Sequence, residues 1–280
     1  MGTKILSPMT DVVFKLLFGT EHSVEILTDF LLAVLKLSPS EYDSITITNP
    51  FLLQEYKDDK LGILDIKLKL KTGKVLNIEM QVDPVKFMET RVVFYTSKMI
   101  TGQINEGEDY GAIKPAISII IAGHKLIKDS ESYHHHFALY DAENKVKFTD
   151  VIEIHTLEMP KAREAFKEGQ DTNLLNWMKF LDAKTEEELN MVAVKNPAIK
   201  KATLRLMELS ADEKARQLYE DRLQMRRDNH ARQQWAVDQA VSDALKAEKM
   251  NIARNLLSAN TPIDTVLLAT GLTIEDVDCL

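Results

Sequence analysis

The chain between residues 61 and 82 reads LGILDIKLKLKTGKVLNIEMQV. Apolar and polar residues alternate over residues 61–70 and again over 75–82, which is the period of a β-strand. A two-residue loop between these strands would mix their faces. A three-residue loop, 71–73, pairs Leu68 with Leu76 and Ile66 with Ile78, and it places Gly73 in the left-handed position that favours glycine. We therefore predict a β-hairpin in this register.

The same register predicts two acids on neighbouring strands, with Asp65 opposite Glu79 and Lys67 opposite Asn77. Their Cβ atoms would be roughly 5 Å apart, so the two carboxylates would repel each other. A divalent cation between them would remove that repulsion, and Mg²⁺ is commonly held by one or two carboxylates with water and phosphate. A lysine-rich strand with an occasional acid is also typical of the solvated face of a sheet, so both interpretations stay open.

Helices and further strands are predicted around the hairpin. The predicted helices are residues 10–18, 23–37 and 87–107, and the predicted strands are one that starts at residue 44, 115–122, and a second hairpin of 133–140 with 148–155. After Pro160 nearly every segment has helical periodicity. We predict three parts: residues 1–158, a helical region at 159–250, and a small helix-turn-helix-like module at 251–280.

Composition limits the class of protein. The net charge of -8 and the pI near 5.5 argue against a protein that holds nucleic acid by bulk positive charge, although a local basic groove would suffice for a nuclease. The apolar runs are too short to cross a membrane, the first residues do not resemble a secretory signal, and the single Cys279 has no partner for a disulfide. We expect a cytoplasmic protein without membrane contact.

Three segments together resemble a known family. Asp65, thirteen intervening residues and then Glu79-Met80-Gln81 resemble the core motif of the PD-(D/E)XK nucleases. The local sequences GILD at 62–65, NIEMQ at 77–81 and TDVVFKLLFG at 10–19 resemble, more narrowly, the Rpn family of recombination-promoting nucleases and transposases. The resemblance covers residues 8–158 well and the helical tail loosely.

The resemblance implies an α/β fold with a restriction-endonuclease-like core, in which helices flank a mixed sheet, followed by an α-helical C-terminal region. It implies a DNA endonuclease of low sequence specificity, dependent on Mg²⁺ (or Mn²⁺ or Ca²⁺) and linked to recombination or mobile elements. By position, Asp65 and Glu79 would bind the metal, with the Met80 carbonyl as a further ligand. Gln81 stands where the superfamily usually has lysine, and its neutral amide can orient water but supplies no positive charge. Our hypothesis is that Lys67 supplies that charge.

Four other residues are weaker candidates. Asp11 and Glu55 could add an acid near the metal, although Asp11 also suits a helix start and Glu55 a solvated strand end. Arg91 and Tyr95 lie four apart on one helical face and would suit a phosphate contact, or ordinary packing of that helix.

Two further patterns favour less specific interpretations. In a strand, only His134 and His136 of the histidine run share a face, and no third ligand is apparent, so a solvated strand is favoured over a metal site. The last predicted helix, from Thr273, is short and acidic, which favours a packing or protein-contact module over DNA recognition. The long charged helices suggest a homodimer formed through the C-terminal region.

A second class of function also stays open. The chain would then be a binding or interaction protein on a nuclease scaffold that cleaves nothing. The acidic net charge and Gln81 favour this class, whereas the intact Asp65 and Glu79 oppose it.

Overall fold

A computed structural model describes residues 5–35, 45–48 and 66–280 of the 280-residue chain. The helices are α1 (Asp11–Phe18), α2 (Val24–Leu35), α3 (Met88–Thr101), α4 (Met159–Lys167), α5 (Asn173–Asp182), α6 (Glu186–Ala193), α7 (Pro197–Ala211), α8 (Glu213–Ser258), α9 (Ile263–Thr270) and α10 (Ile274–Asp278). The strands are β1 (Ile45–Ile47), β2 (Ile66–Leu70), β3 (Val75–Gln81), β4 (Ala116–Ala122), β5 (His134–Tyr140) and β6 (Lys147–Glu158). Short 3-10 helices occupy Glu21–Ser23 and Tyr110–Ala112.

The described strands form one mixed sheet in the order β1-β2-β3-β4-β6-β5. β2 is antiparallel to both β1 and β3, whereas β3, β4 and β6 run parallel and β5 returns antiparallel to β6. Helix α3 makes the connection between the parallel strands β3 and β4. The expected mixed sheet flanked by helices is confirmed.

The first hairpin has the predicted register. Ile66 pairs with Ile78 and Leu68 with Leu76. Gly73 closes the loop with a φ of 88°, the left-handed conformation that glycine adopts most readily. The predicted pairing of Asp65 with Glu79 lies just outside the described residues.

The two faces of the sheet are covered by different helices. Apolar side chains of β2, β3 and β4 point to one face and share the main core with α1 and α2. Representative members are Leu68, Ile78 and Ile119, all less than 2% exposed. On the other face, α3 packs through Met88 and Val92 against Ile120 of β4. The hairpin therefore presents alternate residues to two different environments.

The helices that follow the sheet continue the same core. Trp177 of α5 is fully buried, and its ring contacts Phe18 of α1 and Phe30 of α2 at centroid distances of 5.7 and 5.8 Å. Its Nε1 donates to Oδ1 of Asp29 at 2.7 Å. Burial of such aromatic rings contributes strongly to stability, so α5 is part of the packing that supports the sheet.

The chain divides into two compact units, residues 1–219 and 220–280. In the second unit, the end of α8 packs with α9 and α10 around Ala253, Val266 and Val277. Gly271, at φ 66°, ends α9, and Thr273 begins α10 with a capping box to Asp276. No helix among the described residues is both long and apolar enough to cross a membrane. The predicted division at residues 158 and 250 stays a prediction, since it rests on a change of composition rather than on compactness.

Candidate active site

The carboxylate of Glu79 lies on β3, on the face of the sheet that α3 covers. The residue is 8% exposed, although it is an acid. Arg91 of α3 donates from Nη2 to Oε1 of Glu79 at 2.9 Å. A buried carboxylate needs a positive partner or hydrogen bonds to stay charged, and Arg91 supplies both.

The packing of α3 explains why Arg91 reaches Glu79. Met88 and Val92 of the helix pack against Ile120, and the Thr96 hydroxyl bonds the Ser118 hydroxyl at 2.7 Å. These contacts fix the helix over β4. Arg91 precedes Val92 on the helix surface and extends toward the neighbouring strand β3.

Lysines border Glu79 on the same face of the hairpin. Lys67 pairs with Asn77, and Lys69 pairs with Val75, so both lysines point to the Glu79 side of the sheet. Both are exposed. Residues 66–78 contain four lysines and no acid. The described part of the hairpin therefore carries lysines beside Glu79, in a chain whose net charge is -8.

Gln81 and Met80 occupy the end of the same strand. The Gln81 amide donates from Nε2 to the main-chain oxygen of Asp83 at 2.6 Å. Met80 is 8% exposed, and its side chain belongs to the main core on the opposite face. A metal ligand from Met80 would therefore be its main-chain carbonyl oxygen, as the resemblance implies.

The structure locates two of the remaining candidates. Tyr95 lies beside Arg91, whose Cζ is 5.8 Å from the centre of the tyrosine ring. Asp11 begins α1, and its Oδ1 accepts from the amide of Val12 at 2.8 Å, as at many helix starts. The predictions for Asp65 and Glu55 lie outside the described residues. The catalytic, metal and phosphate roles of all these side chains stay predictions.

The arrangement around Glu79 suits chemistry on an anionic substrate. It combines one buried carboxylate that already holds a cationic group, a neutral amide two residues along the strand, and exposed lysines. Oxygen ligands favour hard ions such as Mg²⁺. The donor set of Glu79, the Met80 carbonyl and Gln81 therefore fits a hard divalent cation, provided that Arg91 releases Glu79.

Sequence reasoning missed a second group of ligand-type side chains. His136, Glu153 and His155 come together across β5 and β6, with one potential ligand atom from each within 4.8 Å of the others. The histidine run 134–136 is visible in the sequence, but the two partners of His136 lie 17 and 19 residues further along the chain. The register of the second hairpin was the signal that would have brought them together.

Comparison with known proteins identifies the family. The family described as "PD-(D/E)XK nuclease family transposase" matches residues 8–236, more than half of the chain. No curated protein and no solved structure matches. The mixed six-stranded sheet flanked by helices is consistent with the α/β fold of the PD-(D/E)XK nucleases. Both the sequence motif and the fold thus agree that this chain belongs to the PD-(D/E)XK nuclease family transposases.

Proposed function

We propose that the chain is a metal-dependent DNA endonuclease of low sequence specificity. The observation that carries the proposal is the buried Glu79, paired with Arg91, on a face that also bears exposed lysines. Membership of a nuclease and transposase family supports phosphodiester chemistry.

The lysines would allow the chain to bind DNA despite its acidic net charge. Affinity for DNA depends on local Lys and Arg contacts with phosphates rather than on the charge of the whole chain. Lys67 and Lys69 are exposed beside Glu79, and the residues 66–78 bring no competing acid. A phosphate at this surface would sit next to the carboxylate.

Within this proposal, Asp65 and Glu79 hold Mg²⁺, with the Met80 carbonyl as a further ligand. PD-(D/E)XK nucleases generally use divalent metals, and Mn²⁺ or Ca²⁺ would find the same oxygen ligands. Such an ion lowers the pKa of bound water and neutralises charge on the scissile phosphate. Gln81 orients the attacking water, and Lys67 supplies the positive charge that Gln81 lacks.

The other candidates have supporting roles in the proposal. Arg91 and Tyr95 contact a phosphate next to the one that is cut, because both side chains reach the open side of α3, at 41% and 43% exposure. Asp11 and Glu55 remain proposed further acids near the metal.

The test is cleavage of supercoiled plasmid by the purified full chain in Mg²⁺ or Mn²⁺. We expect nicked and linear products with the wild type and none with Asp65→Ala or Glu79→Gln. Glu89→Gln is the matched control, since Glu89 is an exposed acid in the first turn of α3. The endonuclease proposal is wrong if the wild type gives no metal-dependent nicking, or if Asp65→Ala nicks equally well.

The alternative is a binding protein on the nuclease scaffold that cleaves nothing. Two observations favour it: the Gln81 amide is engaged with the main chain of Asp83, and Arg91 is engaged with Glu79. This alternative predicts a gel shift of duplex DNA without products in any metal. Repeating both assays with RNA distinguishes a third class, a phosphodiesterase acting on RNA.

The biological setting of the proposed endonuclease is inferred from its family. Cutting DNA in recombination or in the movement of mobile elements suits a nuclease and transposase family, and a cytoplasmic location accords with that substrate.

We also propose a homodimer that cuts both strands. Its support is a stripe of exposed apolar residues on one side of α8 in the second unit, namely Val237, Val241, Leu245 and Ile252. Sedimentation of Val241→Glu beside the wild type tests it, and an unchanged mass for a dimeric wild type would exclude this stripe as the interface.

A further inference from the structure

The second hairpin brings three ligand-type side chains together on one face of the sheet. His136 of β5 lies directly opposite His155 of β6, and their rings stack at 4.4 Å between centroids with an interplanar angle of 9°. Glu153 lies two residues before His155, on the same face of β6. Its Oε2 is 3.4 Å from Nε2 of His136 and 4.0 Å from Nε2 of His155.

The inner histidine has a buried nitrogen that lacks a partner. His155 is 3% exposed, and no hydrogen-bond partner for its Nε2 exists within the described parts of the chain. Buried polar atoms are rarely left in that state. The other ring nitrogen, Nδ1, lies 2.9 Å from Nε2 of His134. That contact orients the ring, so Nε2 points toward Glu153.

The close packing of the three side chains shifts two of their pKa values. Burial, reinforced by the nearby His155, lowers the pKa of His136. The neighbouring His155 lowers the pKa of Glu153 to about 2 against the opposing effect of burial, with help from His136 and Lys147.

We propose that His136, Glu153 and His155 form a binding site for a divalent transition-metal ion, with Zn²⁺ as the best match. Two imidazoles and one carboxylate suit Zn²⁺, whereas Mg²⁺ prefers oxygen ligands throughout. Metal–ligand distances near 2.1 Å place the ligand atoms of a tetrahedral site roughly 3.4 Å apart. One of the three pairs, Oε2 of Glu153 with Nε2 of His136, has that spacing. Oε2 of Glu153 and Nε2 of His155 are 4.0 Å apart, and all three ligand atoms lie within 4.8 Å of one another, so small side-chain rotations would complete the site.

Two neighbouring residues, Lys147 and His134, contact the proposed ligands and orient them. Lys147 approaches the other carboxylate oxygen of Glu153, with Nζ 3.4 Å from Oε1. Oε2 is thus left facing the two histidines. Partners of this kind orient metal ligands, as His134 does for His155.

This site is separate from the proposed nuclease site. The register across β3, β4 and β6 aligns Glu79 with Ile120 and Thr156 on one face. His155 is the neighbour of Thr156, so it points to the opposite face, two strands away. An ion at His155 would join the edge strand β5 to β6 rather than meet DNA beside Glu79.

The test is isothermal titration of the untagged, metal-free full chain with ZnCl₂, in buffer that already contains millimolar Mg²⁺. We expect one Zn²⁺ per chain and a rise in the melting temperature on binding. His136→Ala and Glu153→Gln each remove this binding. His134→Ala weakens it by roughly 10- to 100-fold, as expected for a residue that orients a ligand.

Two controls make the result specific. His22→Ala removes an exposed histidine elsewhere and keeps the Zn²⁺ equivalent. Glu79→Gln also keeps it, which separates this site from the nuclease proposal. Circular dichroism of each variant checks folding, and His136 is exposed, so its replacement leaves the core intact. The inference is overturned if the wild type binds no Zn²⁺, or if both His136→Ala and Glu153→Gln bind it as the wild type does.

Discussion

Arg91 Nη2, on α3, lies 2.9 Å from Oε1 of Glu79, on β3. The side chain of Glu79 is 11% exposed and that of Arg91 is 41% exposed, so the pair is shielded on the carboxylate side and open on the guanidinium side. A metal ion and this guanidinium would compete for the same oxygen. If Glu79 binds a metal ion as we propose, metal binding and the position of Arg91 are interdependent.

Arg91→Ala is expected to have opposite effects on metal and on DNA. Removing the competing cation lowers the Mg²⁺ concentration at half-maximal cleavage severalfold. Removing a phosphate contact weakens DNA binding and reduces the slope of log affinity against log salt by about 1. Cleavage titrations in Mg²⁺ and gel shifts at several salt concentrations measure the two effects.

Arg205→Ala is the matched control for Arg91. Arg205 is 39% exposed in its side chain and pairs with Glu208 on α7, so it resembles Arg91 in exposure and in having an acidic partner. We expect neither effect in this variant. If Arg91→Ala needs as much Mg²⁺ as the wild type, the two cations do not share Glu79.

Lys67→Ala is expected to slow cleavage by roughly 10- to 100-fold, because charge placed beside the reacting phosphate stabilises the transition state. Lys69→Ala is the control, since Lys69 is the next lysine on the same face of β2. We expect a smaller loss there, and partial recovery in Lys67→Arg. Single-turnover cleavage rates measure the differences. Unchanged cleavage by Lys67→Ala, beside complete loss in Asp65→Ala, would remove Lys67 from the site.

The register of the first hairpin was predictable because local rules determine it. Alternation indicated which side chains share a face, and a glycine at position 73 suited the last position of a three-residue loop. The structure confirms the loop, with Gly73 at a left-handed φ of 88°. The pairing of Ile66 with Ile78 follows from those two facts alone. Whether each neighbouring segment forms a helix or a strand was predictable for the same reason, because local periodicity determines it.

The contacts between distant segments were not predictable from one sequence. The pairing of Arg91 with Glu79 depends on how α3 settles on β4 through Val92 and Thr96, which periodicity does not specify. The grouping of His136 with His155 needs the register of β5 with β6, and that pairing contains a shift between Ala138 and Leu139. Sequence alternation gave the face of His136 but not its partner.

Trp177→Ala is expected to destabilise the chain by about 3–5 kcal/mol, because it empties a large buried volume among Phe18 and Phe30. It also leaves Asp29 without the Nε1 donor at 2.7 Å. Trp235→Ala is the control, since Trp235 is 69% exposed on α8, and we expect a change within about 0.5 kcal/mol. Urea unfolding measures both. Equal effects would mean that α5 does not share the core of the sheet.

Lys161→Met tests a buried ion pair at the start of α4. Lys161 Nζ lies 2.9 Å from Oε2 of Glu158, and both side chains are at most 1% exposed. The same Oε2 accepts from the amide of Leu126 at 2.8 Å, and Nζ donates to the carbonyl of Ile127 at 2.6 Å. Removing the lysine leaves the buried carboxylate with only its two amide donors and Nδ1 of His135, 3.4 Å from Oε1, which costs about 3–5 kcal/mol in the free energy of unfolding.

The exposed pair of Glu164 and Lys167 provides a control with the same i,i+3 spacing on the same helix. Because water already solvates those charges, Lys167→Met should change stability by less than about 1 kcal/mol. The double variant Glu158→Gln with Lys161→Met should lower the free energy of unfolding by less than the sum of the losses in the two single variants, because neither charge is then buried without the other. Additive losses would show that the two charges do not interact. If Lys161→Met lowers the free energy of unfolding and Lys167→Met does not, and if amide exchange at Leu126 becomes faster, the pair of Lys161 and Glu158 holds the segment at Leu126 in place.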